Sequence, residues 1–186
     1  MSLPLSLPVS LPVSLPVSYA IATLNQMSQA EFTEALGSIF EHTPEIAAQA
    51  WQERPFDDVT TLHQVMTAII KAMSESEQLK LICAHPDLGS KFKMAEASIQ
   101  EQSTVGLDQI SITEYDRFQQ LNQAYKQKFS FPFIIAVRNH TKDSILSAFE
   151  RRLQHSLEVE RQQAIAEIIE IARWRLILAV KSYEIS

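Results

Sequence analysis

Ile165-Ala166-Glu167-Ile168-Ile169-Glu170-Ile171-Ala172-Arg173-Trp174-Arg175-Leu176-Ile177-Leu178-Ala179-Val180 is the stretch on which the fold class turns. Projected at about 100° per residue, Ile165, Ile168, Ile169, Ala172, Leu176, Ala179 and Val180 form one apolar face, and Ile171, Trp174 and Leu178 form an adjoining one. The pattern predicts a long last helix reaching to about Tyr183. Arg175 falls between the two faces with apolar neighbours on both sides, whereas Arg173 lies at the outer rim beside Glu170 and Lys181. A guanidinium in an apolar arc is unfavourable unless it meets a carboxylate or an anionic ligand. Arg175 is therefore either an anion clamp or half of an intramolecular salt bridge.

Working back toward the N-terminus, the same helical punctuation recurs. Ser28-Gln29-Ala30-Glu31 is a capping box followed by Phe32, Leu36, Ile39 and Phe40 at helical spacing. Thr43-Pro44 starts a short second helix with Pro at its first position. Thr60 or Thr61 opens a third with Leu62, Val65, Met66, Ile69 and Met73 on it. A fourth runs from about Ser76 to Ala84 and ends at His85-Pro86, since the residue before proline is pushed out of the α region. Ser111-Ile112-Thr113-Glu114 is another capping box, and Thr141 caps a helix through about Gln154. Only residues 129–137, Phe-Ser-Phe-Pro-Phe-Ile-Ile-Ala-Val, read as extended. One isolated extended segment makes no sheet, so the expected class is all-α: a single-domain helical bundle with one short Phe-Pro-Phe segment.

Residues 3–18 repeat Leu-Pro-(Leu/Val)-Ser and hold four of the chain's eight prolines. Proline at every fourth position forbids a helix, so residues 1–20 are expected to form a disordered low-complexity tail, with the helical domain spanning 21–186. The first Lys or Arg is Arg54, so the tail lacks the basic start of a secretory signal, and no run approaches membrane-spanning length. A formal net charge of −6 and the absence of any Lys/Arg block argue against a nucleic-acid partner. The single cysteine, Cys83, excludes an internal disulfide and zinc-type cysteine clusters, which fits a reducing, cytoplasmic setting. Between Leu81, Ile82 and Ala84 it reads as a small buried core residue.

Against this helical background, three stretches stand out. His85, at a helix end before a proline, titrates near neutrality and is free to project into a cleft, which suits a general acid or base; a cap or surface imidazole is the plainer reading. Glu101 and Gln102 follow Ser98 in a polar stretch that taken alone resembles a solvated helix start. Phe131-Pro132-Phe133, flanked by Lys128 and Arg138, would be an unfavourable surface patch unless buried. Buried non-helical backbone must place its N–H and C=O groups somewhere, and lining a ligand pocket is one answer; a structural crossing of the core is the other.

Together these residues resemble the 2-oxo-4-hydroxy-4-carboxy-5-ureidoimidazoline (OHCU) decarboxylases of uric acid degradation. The resemblance runs from about Leu24 to Leu178. It is carried by Phe40-Glu41 with Pro44, Arg54-Pro55-Phe56, His85-Pro86-Asp87-Leu88, Ser98 with Glu101-Gln102, and Gly106-Leu107. It continues through Leu121-Asn122 with Tyr125, Lys128-Phe129-Ser130-Phe131-Pro132-Phe133-Ile134, Ile145-Leu146, Arg151-Arg152-Leu153, Glu160, and Ile171-Ala172 with Arg175-Leu176. It implies an all-helical homodimer that removes CO2 from OHCU to give S-allantoin without cofactor or metal, acting on a small anionic purine-derived substrate. Matched motif to motif, it implies His85 and Glu101 as the catalytic pair. Ser98, Gln102, Arg175, Pro86 and the backbone around Phe133 and Ile135 would bind substrate. Ser130 and Asn139 stand where the family usually has glycine, which implies a small backbone adjustment at each. Two other readings of the same features are a helical protein-binding module anchored by exposed Phe131 and Phe133, and a hydrolase of a related ureide.

Overall fold

In the computed structural model, which describes residues 18–86, 88 and 112–181, capping side chains decide where the helices begin. After α1 (Ile21–Gln26), α2 (Gln29–Leu36) starts on the expected box: the Ser28 hydroxyl accepts from the Glu31 N–H, and the Glu31 carboxylate accepts from the Ser28 N–H at 2.8 Å. Pro44 already has helical angles directly ahead of α3 (Glu45–Ala50). α4 (Val59–Ala72) begins slightly earlier than Thr60, because the Asp58 carboxylate accepts from the Thr61 N–H at 2.7 Å and so fixes the start. α5 (Glu75–Ala84) is capped by a Ser74–Glu77 box and stops at His85-Pro86. α6 (Ile112–Phe129), α7 (Lys142–Arg152, capped by Thr141) and α8 (Leu157–Ala179, capped by Ser156) complete the helices among the described residues. The box expected at Ser111, together with Asp87 and Tyr183, lies outside them.

The core is built around α8, whose Ala164, Ile165, Ile168, Ala172 and Leu176 are buried. α4 and α5 pack against it, and α6 packs on α7. Arg161 ties α5 in place: its guanidinium donates to the Gln78 side chain at 2.6 Å and reaches the Glu158 and Glu75 carboxylates. The helix that ends at His85 is thereby held on the helix that carries Arg175.

Several expectations are corrected. Residues 129–137 are not the only extended segment: β1 (Tyr19–Ala20) pairs in parallel with β2 (Val180–Lys181), and Val180 leaves the helical region, ending α8 at Ala179. A two-residue pairing has no periodic sequence signal, so hydrophobic patterning ran the helix on. Within the Phe-Pro-Phe stretch, Phe129 belongs to α6 and Val137–Asn139 form a single 3-10 turn. Cys83 is exposed, not buried. Leu81 and Ile82 carry α5's contact with the core, and a further 100° of rotation turns Cys83 to solvent, so apolar neighbours in sequence were not neighbours in space.

Because α5 positions His85, its cap offers a check on how rigidly that helix is anchored. Ser74→Ala is expected to lose about 1 kcal/mol of stability and to lower Tm by about 2–4 °C, with kcat unchanged; thermal unfolding and a turnover assay measure both.

Candidate active site

α5, the extended segment after α6, and the last turns of α8 meet at a cleft of about 250 Å³. Its walls include His85, Pro86 and Leu88 beyond the end of α5, Phe133 to Ala136 in the extended segment with Val137 and Arg138 of the 3-10 turn, and Ile171, Trp174, Arg175 and Leu178 on α8, with Glu41 also in the lining. The second apolar face read from the sequence, Ile171, Trp174 and Leu178, is thus the face that α8 turns to the cleft, while the first face packs into the core.

His85 is only 6% exposed. Its backbone N–H closes the last turn of α5 on Ile82, and Pro86 then forces the chain out of the helix. The ring Nδ1 lies 2.9 Å from the Leu81 carbonyl. A carbonyl can only accept, so Nδ1 carries hydrogen, and any gain or loss of a proton takes place at Nε2.

The Phe-Pro-Phe segment is a buried crossing and a cavity wall at once. Ser130 leaves α6 with a left-handed backbone, φ 63°, which accounts for the glycine expected at this place. Asn139, the other such position, sits in the 3-10 turn, is not among the left-handed residues, and donates to Glu170 at 3.3 Å. Phe131 and Phe133 turn inward against Tyr125 and Phe149. The backbone polar groups of a buried, non-helical segment need partners, and two buried or half-buried charges provide them. The Ile134 carbonyl accepts from Arg152 Nη1 at 2.7 Å, and the Ala136 N–H donates to Glu167 Oε2 at 2.8 Å.

Arg152 is 1% exposed and Glu160 is fully buried; Nε and Nη2 of the arginine lie 2.8 and 2.6 Å from Glu160 Oε1. The Tyr125 hydroxyl donates to the same carboxylate, and His155 Nδ1 lies 2.8 Å from its other oxygen. Burial, reinforced by Glu160, pushes the Tyr125 hydroxyl above the usual phenol range, so it remains a proton donor. The Arg152 guanidinium also lies 4.4 Å over the Phe133 ring. Arg152 and Glu160 were among the residues carrying the resemblance but had no assigned task; that task is to brace the cleft wall.

Arg175 lines the cleft, while Arg173 turns to the rim, pairs with Glu170 at 2.8 Å and packs over Trp174. Hydrogen bonding to Arg173 holds the Glu170 carboxyl below its ordinary range. Arg175 meets the salt-bridge alternative as well: Nη2 pairs with Glu41, and Nη1 donates to the Ile39 carbonyl at 2.9 Å. The salt-bridge alternative is therefore met, by an ion pair that lies on the wall of the cleft. Glu41 had no signal of its own in the sequence beyond its place in Phe40-Glu41. His85, Pro86, Phe133, Ile135 and Arg175 are brought together; Ser98, Glu101 and Gln102 lie outside the described residues. Among the described residues no cluster of His, Cys, Asp and Glu could hold a metal ion, and no helix is long and apolar enough to cross a membrane.

The family model described as OHCU decarboxylase matches residues 25–177. The chain is 44% identical over 158 residues to the uric acid degradation bifunctional protein PucL of Bacillus subtilis, covering 85% of this chain but only 32% of that one. It is 40% identical over 153 residues to the 2-oxo-4-hydroxy-4-carboxy-5-ureidoimidazoline decarboxylase of Haloferax volcanii, covering 82% of this chain and 91% of that one. Among solved structures, an (S)-allantoin synthase superposes with a TM-score of 0.72 at 32% identity, covering 87% of this chain and 54% of that chain.

Proposed function

Since the chain belongs to the OHCU decarboxylase family, we propose that it removes CO2 from 2-oxo-4-hydroxy-4-carboxy-5-ureidoimidazoline to give S-allantoin in urate degradation. The observation that carries the reading is the convergence of His85, Phe133, Ile135 and Arg175 from three separate parts of the sequence on one cleft. The substrate has a carboxylate and a hydroxyl on one ring carbon, next to a C=N bond. When the bond to CO2 breaks, its electron pair passes into that C=N unit, so the substrate is its own electron sink and the reaction calls for no cofactor. The protein's task is to position the substrate, stabilise the charge that moves onto the ring, and add a proton to one face of the resulting enolamine.

In this mechanism His85 engages the hydroxyl and carboxylate through Nε2 as acid and base, its ring aimed by the bond from Nδ1 to Leu81. Arg175 holds an anionic oxygen, and Pro86 with the backbone of Phe133 to Ile135 shapes the ring's seat. Glu101 fixes the ureido or ring N–H groups or relays the proton, and Ser98 and Gln102 bind substrate; these three roles rest on the motif match. The working unit is the helical domain of residues 21–186, joined by the Tyr19–Ala20 strand that pairs with its C-terminal end, as a homodimer in the cytoplasm.

The test uses the substrate's own instability. Freshly generated OHCU decays spontaneously to racemic allantoin, so optical rotation should develop only with enzyme present. Rotation that stays at zero with the protein added would eliminate the decarboxylase reading. A protein-binding module is disfavoured by one observation: its proposed anchors, Phe131 and Phe133, are 3% and 1% exposed.

A further inference from the structure

Arg175 is the cleft's candidate anion clamp, yet it already has a carboxylate. Glu41, itself a cleft-lining residue, pairs with Nη2, while Nη1 donates to the Ile39 carbonyl at 2.9 Å and approaches that of Ser38 at 3.5 Å. Two sides of a planar fork are thus fixed by one short turn, leaving Nε–H and the second Nη2 hydrogen as the donors that these contacts do not use. The turn is built to present Glu41. Its backbone carbonyl accepts from the Thr43 hydroxyl at 2.9 Å, and His42, the next residue, is held left-handed at φ 48°. Left-handed backbone is unfavourable for a non-glycine residue and persists where its surroundings fix it.

We infer that Glu41 is a positioning residue of this site: its charge fixes the Arg175 guanidinium in the one orientation from which it can hold the substrate's anionic oxygen as CO2 leaves. The inference rests on the decarboxylase reading and extends it to a residue that does not itself react. It has a signature that a purely structural contact lacks. Removing the Glu41 charge leaves Arg175 more positive, so an anionic substrate still binds at least as well, but the fork loses its orientation. KM should therefore hold or fall while kcat drops, the pattern of an interaction used in the transition state and not in ground-state binding.

The test compares wild type, E41Q, E41D and R175Q by steady-state kinetics and optical rotation on freshly generated OHCU. Expected for E41Q is a kcat about 10–100-fold down, as for other mispositioned reacting groups, with KM no higher than wild type. E41D, which keeps the charge on a shorter arm, should recover most of that loss. In the R175Q background, E41Q should have no further effect on kcat, because its partner is gone. Wild-type kcat in E41Q overturns the inference, as does an E41Q loss that persists undiminished in R175Q. A raised KM with kcat intact also overturns it. If E41Q fails to fold, E41D decides: kcat reduced at unchanged KM supports the inference, and wild-type kcat overturns it. Zero rotation from the wild type is a different failure, that of the decarboxylase reading itself.

Discussion

His85→Ala is expected to reduce turnover by about 10²–10⁴-fold, the usual contribution of a positioned acid or base, with circular dichroism still native. The fold should tolerate the change. The helix-closing bond at this position comes from the backbone N–H to Ile82, and the turn out of α5 is imposed by Pro86; neither needs the imidazole. What disappears is the one histidine on the cleft wall. His85→Asn separates packing from proton chemistry, since an amide N–H can replace the donor to the Leu81 carbonyl but cannot exchange a proton near neutral pH. Asn should therefore approach wild-type Tm yet share the kinetic loss of Ala. Wild-type turnover in either variant removes His85 from the mechanism, and wild-type turnover in Glu101→Ala would do the same for Glu101.

Arg152→Met is expected to destabilise the protein by about 3–5 kcal/mol, which for a chain of this size lowers Tm by about 10 °C. Methionine fills much of the volume, so the effect is one of charge. Glu160 is left buried with no guanidinium, and the Ile134 carbonyl loses its donor. Replacing both partners, Arg152→Met with Glu160→Gln, should recover part of the loss, because the uncompensated charge is gone. Since the same guanidinium braces the cleft wall, the single variant should also lose turnover at temperatures where it remains folded. Thermal unfolding of the single and double variants decides the matter: a Tm within 2 °C of wild type in Arg152→Met would show that the buried pair does not support the segment.

How far the sequence went toward this picture depends on the range of the signal involved. Helix starts were legible where a cap and its partner lie three residues apart, as at Ser28 with Glu31 and Thr141 with Ser144. Periodicity assigned α8 its two faces and placed Arg175 between them. It could not see that Val180 pairs with Tyr19, because that contact joins the two ends of the described chain through four residues in all. Cys83 shows the same limit: apolar neighbours in sequence predict burial, whereas the helix carries the thiol round to solvent. The contributors to the cleft follow the same division. His85 and the aromatic segment stood out locally, by a proline on one side and an improbable apolar cluster on the other. Glu41 did not, since a glutamate after a helix is ordinary until its partner 134 residues away is brought beside it. Arg152 and Glu160 sit only eight residues apart, yet their burial comes from the aromatics of α6 and of the extended segment.

The two left-handed non-glycine residues among those described, His42 and Ser130, bear on how this molecule could be tuned. Each stands at the threshold of a segment that shapes the cleft: one directly after Glu41, the other directly before Phe131. A left-handed conformation is less favourable by about 1–2 kcal/mol for an L-residue, whereas glycine adopts it freely but gives the unfolded chain more freedom. With only three glycines in 186 residues, the chain has placed side chains at both joints. These joints are stiff by composition, and glycine at either would trade backbone strain for hinge freedom. Glycine at either position, neither of them in the cleft, is therefore expected to loosen the wall beside it while leaving the lining side chains unchanged.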